Sequence, residues 1–169
     1  MFYKSYYFSP IGKMLLVSDG ESLCALRIEG QKYFDVNPDR MPENDKLEIF
    51  CNTKRWLERY FDGQNPDLNT LPLSPQGTEF QKAVWKVLCN IPYGKVVTYG
   101  DIARKINRNT RCAQAIGGAV ARNPILVIIP CHRVVGADKS LTGYAAGVDK
   151  KLQLLKLENA TEAITGDRV

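Results

Sequence analysis

The segment TYGDIARKINRNTRCAQAIGGAVARNP, residues 98–124, decides how the second half of the chain folds. Thr98 is of the type that caps a helix start and predicts a helix through about Ile106. Asn107 to Asn109 reads as a short polar turn, and another helix follows from about Thr110 to Arg122. That helix stops at Asn123, because Pro124 disfavours helical geometry in the residue before it. Two short helices joined by a tight turn are the ingredients of a helix-turn-helix.

The helix from Thr110 carries a distinctive surface. Arg111, Gln114, Gly118 and Arg122 fall on one face, whereas Cys112, Ala115, Ile116 and Ala119 share another that is expected to pack inward. The adjacent Gly117 and Gly118 cost a helix roughly 1 kcal/mol each relative to alanine. Something bulky must approach this backbone closely, and a neighbouring helix serves as well as a nucleic-acid groove. Seven basic residues and one acid between Gly94 and Val134 suit a polyanion or a solvated basic face. Residues 75–169 carry a net charge of +7 and residues 1–74 a net −2.

Upstream, Thr78 and Gln81 form a capping box for a helix to about Asn90, which Pro92-Tyr93-Gly94 breaks. In the first half, Tyr3–Phe8, Met14–Val17 and Leu23–Ile28 read as strands of a three-stranded meander. A helix over 43–62 follows, with Leu47, Phe50, Leu57, Tyr60 and Phe61 on one side, and Gly63 closes it. Gln64 to Pro75 reads as a linker. The chain therefore divides into domains 1–74 and 75–169, and its fold class is α/β in the broad sense (α+β).

With 169 residues, 44% of them hydrophobic and 24% charged, the composition is that of a soluble globular protein. No apolar run approaches a bilayer span, and the first residues lack the pattern of a signal peptide, so no membrane association is expected. The five cysteines are irregularly spaced and odd in number, which points to reduced thiols and a cytoplasmic setting. The single histidine, His132, leaves a zinc cage without its usual ligands, so no metal is expected.

That histidine follows Cys131 at the end of Ile125–Ile129, an apolar run expected to form a strand buried on both faces. A thiol with a pKa near ~8.5 is mostly protonated at neutral pH, so Cys131 needs help to act as a nucleophile. Adjacent side chains of an extended chain point apart, so the backbone must turn at Cys131-His132 or a water must bridge them. An imidazole base works best with a third group fixing its tautomer. The helix from about Val148 to Asn159 offers Glu158, within an apolar arc that also holds Lys151, expected to snorkel. Gly143 to Gly147, with Tyr144, Ala145 and Ala146 between, suits either a loop over a flat ligand or a surface turn.

Ile91-Pro-Tyr-Gly94, Val97-Thr-Tyr-Gly100, Ile116-Gly-Gly-Ala119, Asn123-Pro124, Pro130-Cys-His-Arg-Val134 and Leu141-Thr-Gly-Tyr144 occur in this order. Together they resemble the methylated-DNA–protein-cysteine methyltransferases, the alkylguanine-DNA alkyltransferases, over residues 75–160. The resemblance implies an RNase-H-like N-terminal domain and a C-terminal domain with a winged-helix-like helix-turn-helix. It implies single-turnover transfer of an alkyl group from O6-alkylguanine, or O4-alkylthymine, to Cys131. His132 would be the water-linked base, Glu158 its orienting group, and Tyr99 a hydrogen-bond donor to the leaving base. Asn123 would be a hinge, with Tyr144 and Ala145 lining the alkyl pocket.

Gln114, Arg111, Gly117 and Gly118 would meet double-stranded DNA in the minor groove, with the damaged base flipped out. The groove is only about 6 Å wide, which gives small residues on this helix a purpose. No cofactor is implied, and a monomer is expected. Two positions depart from the common pattern. Gln114 stands where the family often has arginine, a loss for which Arg111 would compensate, and Ala146 stands where many relatives have glycine. A Cys-His hydrolase, a non-catalytic DNA-binding module and a redox sensor are the competing readings.

Overall fold

The computed structural model describes residues 1–33, 35–106 and 112–164, and separates into two compact units. The first comprises residues 1–76 together with Pro124–Leu126. Its antiparallel sheet has the order β1 (Tyr3–Ser9), β2 (Gly12–Ser18), β3 (Leu23–Ile28). Gly12, at φ 129°, makes the first hairpin turn in a conformation that side-chain-bearing residues rarely adopt.

Met14, Leu16, Leu26 and Ile28 are fully buried, as are Phe50, Leu57 and Tyr60 of helix α1 (Glu48–Phe61), which packs against the sheet. Leu15, Val17 and Ala25 alternate to the opposite face, where Tyr6, Val36 and Met41 cover them. Each such side chain is worth about 1.5–3 kcal/mol relative to exposure. Helix α1 starts later than the periodicity predicts. The backbone of residues 42–44 is committed to β1 instead, through Lys4 N–H to Pro42 O and Asn44 N–H to Lys4 O.

The second unit comprises residues 77–123 and 127–169. Its elements are α2 (Glu79–Leu88), β4 (Val97–Thr98), α3 (Tyr99–Lys105), α4 (Ala113–Ala121), β5 (Val134–Val135) and α5 (Val148–Leu157). Both α2 and α3 open with complete capping boxes, Thr78 with Gln81 and Thr98 with Asp101. Strands β4 and β5 pair in parallel, a short contact that fixes the start of α3 beside the segment leaving Cys131. The fold is thus mixed α/β, a sheet unit followed by a mainly helical one. Among the described residues no helix is long and apolar enough to cross a membrane.

Three expectations need correction. Ile125–Ile129 forms no strand. The run is fully buried, but it turns, with Val127 at φ 71°. A β-branched residue in the left-handed region costs on the order of 1–3 kcal/mol and persists only where its surroundings over-determine it. Second, the inward face of α4 is Ile116, Ala119 and Val120, whereas Ala115 is exposed and Cys112 only partly covered. The Trp85 indole N–H donates to Ala119 O at 2.8 Å and sets that rotation of α4. Third, Lys151 does not snorkel. It is 1% exposed, and its ammonium donates to Val134 O at 2.6 Å.

Candidate active site

Cys131 opens a single 3-10 turn, Cys131–Arg133, that follows Pro130. Two bonds shape its approach. Asn123, fully buried, donates its side-chain amide to Ile129 O at 2.7 Å, spanning the turn between Pro124 and Ile129. The Cys131 N–H also donates to Ile129 O, at 2.8 Å. These bonds bend the backbone sharply into the turn that carries Cys131 and His132.

His132 and Glu158 lie 26 residues apart in sequence and meet at 2.7 Å, His132 Nε2 to Glu158 Oε1, both side chains wholly buried. Glu158 is the C-terminal cap residue of α5, which places its carboxylate beside this turn. An ionised carboxylate only accepts hydrogen bonds, so Nε2 carries the proton and Nδ1 keeps the lone pair. This is the tautomer a base needs.

Arg133 completes the cluster. Its Nε donates to Glu158 Oε2 and its Nη2 to Oε1, each at 2.9 Å, while Nη1 donates to Ile91 O at 2.6 Å. The Gly94 N–H adds a contact to Oε2 at 3.3 Å. Gly94 sits at φ 77°, and a Cβ there would lie 3.1 Å from Glu158 O, so the Pro92-Tyr93-Gly94 break lets the chain pass close to the carboxylate. Sequence reading placed Arg133 among the basic residues and gave it no partner. Its partner lies 25 residues away in sequence, at the end of α5, and no local spacing signals it.

The electrostatics follow from burial and pairing. Burial alone would push Glu158 up, but the His132 hydrogen bond and the Arg133 fork outweigh it and hold the carboxyl well below the usual carboxylate range. Burial lowers His132 despite Glu158, which keeps the imidazole neutral. Burial also pushes the Cys131 thiol up to about 11, against the opposing pull of Asn123, Lys151 and Tyr144. The resting sulfur is thus a protected thiol at neutral pH, and a thiolate forms only when its proton has somewhere to go.

The remaining sequence-selected residues fall into two groups. Tyr99, at the start of α3, shares a 2.6 Å hydrogen bond with Thr142 Oγ1, and burial raises its phenol. A Cβ on Gly117 would stand 3.8 Å from the Tyr99 ring, ordinary contact, so Gly117 belongs to this neighbourhood. Tyr144 is half-buried with its hydroxyl enclosed, burial raises it well above the usual phenol value, and Ala145 is buried beside it in sequence. Gln114, Gly118 and Arg122, by contrast, are exposed along one face of α4, and a Cβ on Gly118 would meet open space. Arg111 lies outside the described residues. No group of three His, Cys, Asp or Glu among the described residues has the geometry to hold a metal ion.

Such an arrangement encloses one cysteine beside a buried imidazole in sequence, on a helical unit that also presents an exposed, small-residue helix face. Comparison with known proteins gives the family. Residues 79–160 match the 6-O-methylguanine DNA methyltransferase DNA-binding domain, and residues 2–75 match the ribonuclease-like domain of the same family. The methylated-DNA–protein-cysteine methyltransferase of Haemophilus influenzae is 44% identical over 92% of this chain and 86% of its own length. That of Methanosarcina acetivorans is 47% identical over 94% and 99%. The crystal structure of the Mycobacterium tuberculosis O6-methylguanine methyltransferase is 37% identical, with a TM-score of 0.83 over 99% of this chain and 97% of that one. The Mycobacterium tuberculosis OGT crystallised in complex with DNA gives 0.85 at 35% identity over 97% and 96%. The chain belongs to the methylated-DNA–protein-cysteine methyltransferase family.

Proposed function

We propose that this protein repairs O6-alkylguanine, and O4-alkylthymine, in double-stranded DNA by one irreversible transfer of the alkyl group to Cys131. The observation that carries the reading is the buried His132–Glu158 pair directly following the buried Cys131 along the sequence, in a chain of this family. His132 Nδ1 takes the thiol proton through a bridging water as the sulfur attacks the O-alkyl carbon in line. The S–C bond forms, the C–O bond breaks, and the electron pair passes to O6 and into the purine ring. Tyr99 gives a proton to that ring and discharges it. The product is a thioether with no group poised to cleave it, so each molecule acts once.

The exposed Gln114, Gly118 and Arg122 face of α4 is the surface offered to the minor groove, and Arg111 joins it in contacting DNA. A small-residue helix lets the backbone come close, and Asn123 links α4 to the turn that carries the thiol. The flipped base then enters beside Tyr99, Tyr144 and Ala145. Ala146 narrows the space for bulky adducts. In this reading residues 1–74 serve as a scaffold and residues 75–169 bind DNA and accept the alkyl group. The protein acts as a monomer in the cytoplasm, a setting consistent with five free cysteines.

The test is stoichiometric. Incubation with a duplex containing one O6-methylguanine should replace the thiol hydrogen of the Cys131 peptide by one methyl, one equivalent per protein, read by mass spectrometry. Cys131→Ser should carry none and leave the lesion in place. Repeated turnover, or repair by the serine variant, would overturn the reading.

A further inference from the structure

A second polar chain, Lys151–Thr142–Tyr99, lies in the same unit, apart from the His132–Glu158–Arg133 hydrogen bonds. Lys151 Nζ, buried in α5, lies 3.4 Å from both Thr142 Oγ1 and Thr142 O, and 2.6 Å from Val134 O. Thr142 Oγ1 is in turn 2.6 Å from the Tyr99 hydroxyl. These distances alone leave open which hydroxyl donates to which. On the lysine side there is no such choice, because a lysine ammonium has three hydrogens to give and no lone pair to receive.

We propose that Lys151 and Thr142 form a proton relay that aims the Tyr99 hydroxyl at the leaving base and restores its proton after transfer. In this relay Thr142 Oγ1 accepts from Lys151 and donates its only hydrogen to the Tyr99 oxygen. The Tyr99 hydrogen is then excluded from the Tyr99–Thr142 line and points toward the base. The inference rests on the alkyl-transfer reading above and extends it to a residue, Thr142, that touches no reacting atom and acts through Tyr99.

The step balances. As the C–O bond breaks, Tyr99 O–H protonates the purine ring. The Thr142 hydroxyl hydrogen moves to the Tyr99 oxygen, and one Lys151 N–H hydrogen moves to Thr142 Oγ1. The ammonium becomes an amine while His132 becomes an imidazolium from the thiol proton, so net charge is unchanged. Burial lowers Lys151 to about 8, against the opposing pull of Cys131, which makes it a more willing proton donor than an ordinary lysine. A hydrogen-bonded chain with an ion at one end also polarises every link in it.

Thr142 is half-buried, so it tolerates substitution better than Lys151. Single-turnover transfer from an O6-methylguanine duplex to full-length protein should slow about tenfold in Thr142→Val and Thr142→Ala, a modest share of what general acids supply. Thr142→Ser, which keeps the hydroxyl, should run at the wild-type rate. Adding Thr142→Val to Tyr99→Phe should slow transfer no further, because both remove the same step. With free-base 8-aza-O6-benzylguanine, whose ring anion leaves more readily, the Thr142→Val loss should shrink relative to O6-benzylguanine. Wild-type rates in both hydroxyl-less variants, equal loss in the serine variant, multiplying losses with Tyr99→Phe, or no shrinkage with the better leaving group would each overturn the relay. Failure of the wild type to alkylate Cys131 at all would overturn the alkyl-transfer reading, and the relay with it.

Discussion

Two arginines are buried to the same degree in the two units, and they are held in opposite ways. Arg27 on β3 pairs with Asp35 at 3.0 Å, and that carboxylate is 75% exposed. Arg133 pairs with Glu158 at 2.9 Å through both oxygens, and that carboxylate is 0% exposed. In the sheet unit, water solvates most of the negative partner, so the ion pair pins a surface segment to the sheet edge. In the helical unit, both charges have left water, and each depends on the other. Burying two charges is repaid only when every lone pair and hydrogen is matched, and the Glu158 cluster meets that demand with His132, Arg133 and Gly94. Similar burial of a similar group therefore serves attachment in one place and tuning in the other.

The sharpest way to break this comparison is to remove Glu158. Glu158→Ala leaves a buried guanidinium without its carboxylate and an imidazole without its anchor. The expected cost is about 3–5 kcal/mol of folding stability, the range for breaking a buried pair. Urea unfolding of the purified protein measures it, and a loss under 1 kcal/mol would place Glu158 in the same class as Asp35.

Acid titration sharpens the same contrast at intermediate size. Glu158 is held below its unfolded value, so its contribution is present above the ordinary carboxylate range and is lost as pH falls through and below it. His132 acts in the same direction, because a buried neutral imidazole binds fewer protons than the unfolded chain once pH drops below about 6.5. The wild type should therefore lose stability progressively from about pH 6.5 downward, and Glu158→Gln should flatten the lower part of that slope. Thermal melts between pH 7 and pH 3.5 supply the measurement, and an unchanged slope in the glutamine variant would count against the assignment.

How far these features could be read from the chain depends on how local their causes are. The start of α2 was legible because a capping box is written in residues three apart, Thr78 and Gln81, and that of α3 because Thr98 is a capping residue. The meeting of His132 with Glu158 was legible as a candidate, since a carboxylate in the apolar arc of a helix has to find a partner. The turn at Ile125–Ile129 was not. A continuous apolar run reports full burial, and burial is the same whether the backbone is extended or coiled through Val127. The bond that spans that turn comes from Asn123, a side-chain donor outside the run. Lys151 was misread for a related reason. Nothing in the helix pattern shows that Val134 O and Thr142 O wait beyond its stem, and those acceptors are what permit an ammonium to stay inside.

The smallest expected effect tests the other end of the comparison. Asp35→Ala removes the exposed partner of Arg27, whose guanidinium burial lowers and Asp35 partly restores. Because Asp35 is mostly in water, its attraction is screened, and the guanidinium keeps a bond from Nη1 to Tyr33 O at 3.3 Å. The stability loss should be about 0.2–1 kcal/mol and should shrink further in 1 M salt, whereas the loss in Glu158→Ala should barely respond to salt. A large, salt-insensitive loss at Asp35 would mean that Arg27 relies on its carboxylate as Arg133 does, and the distinction between attachment and tuning would then rest on the catalytic chemistry alone.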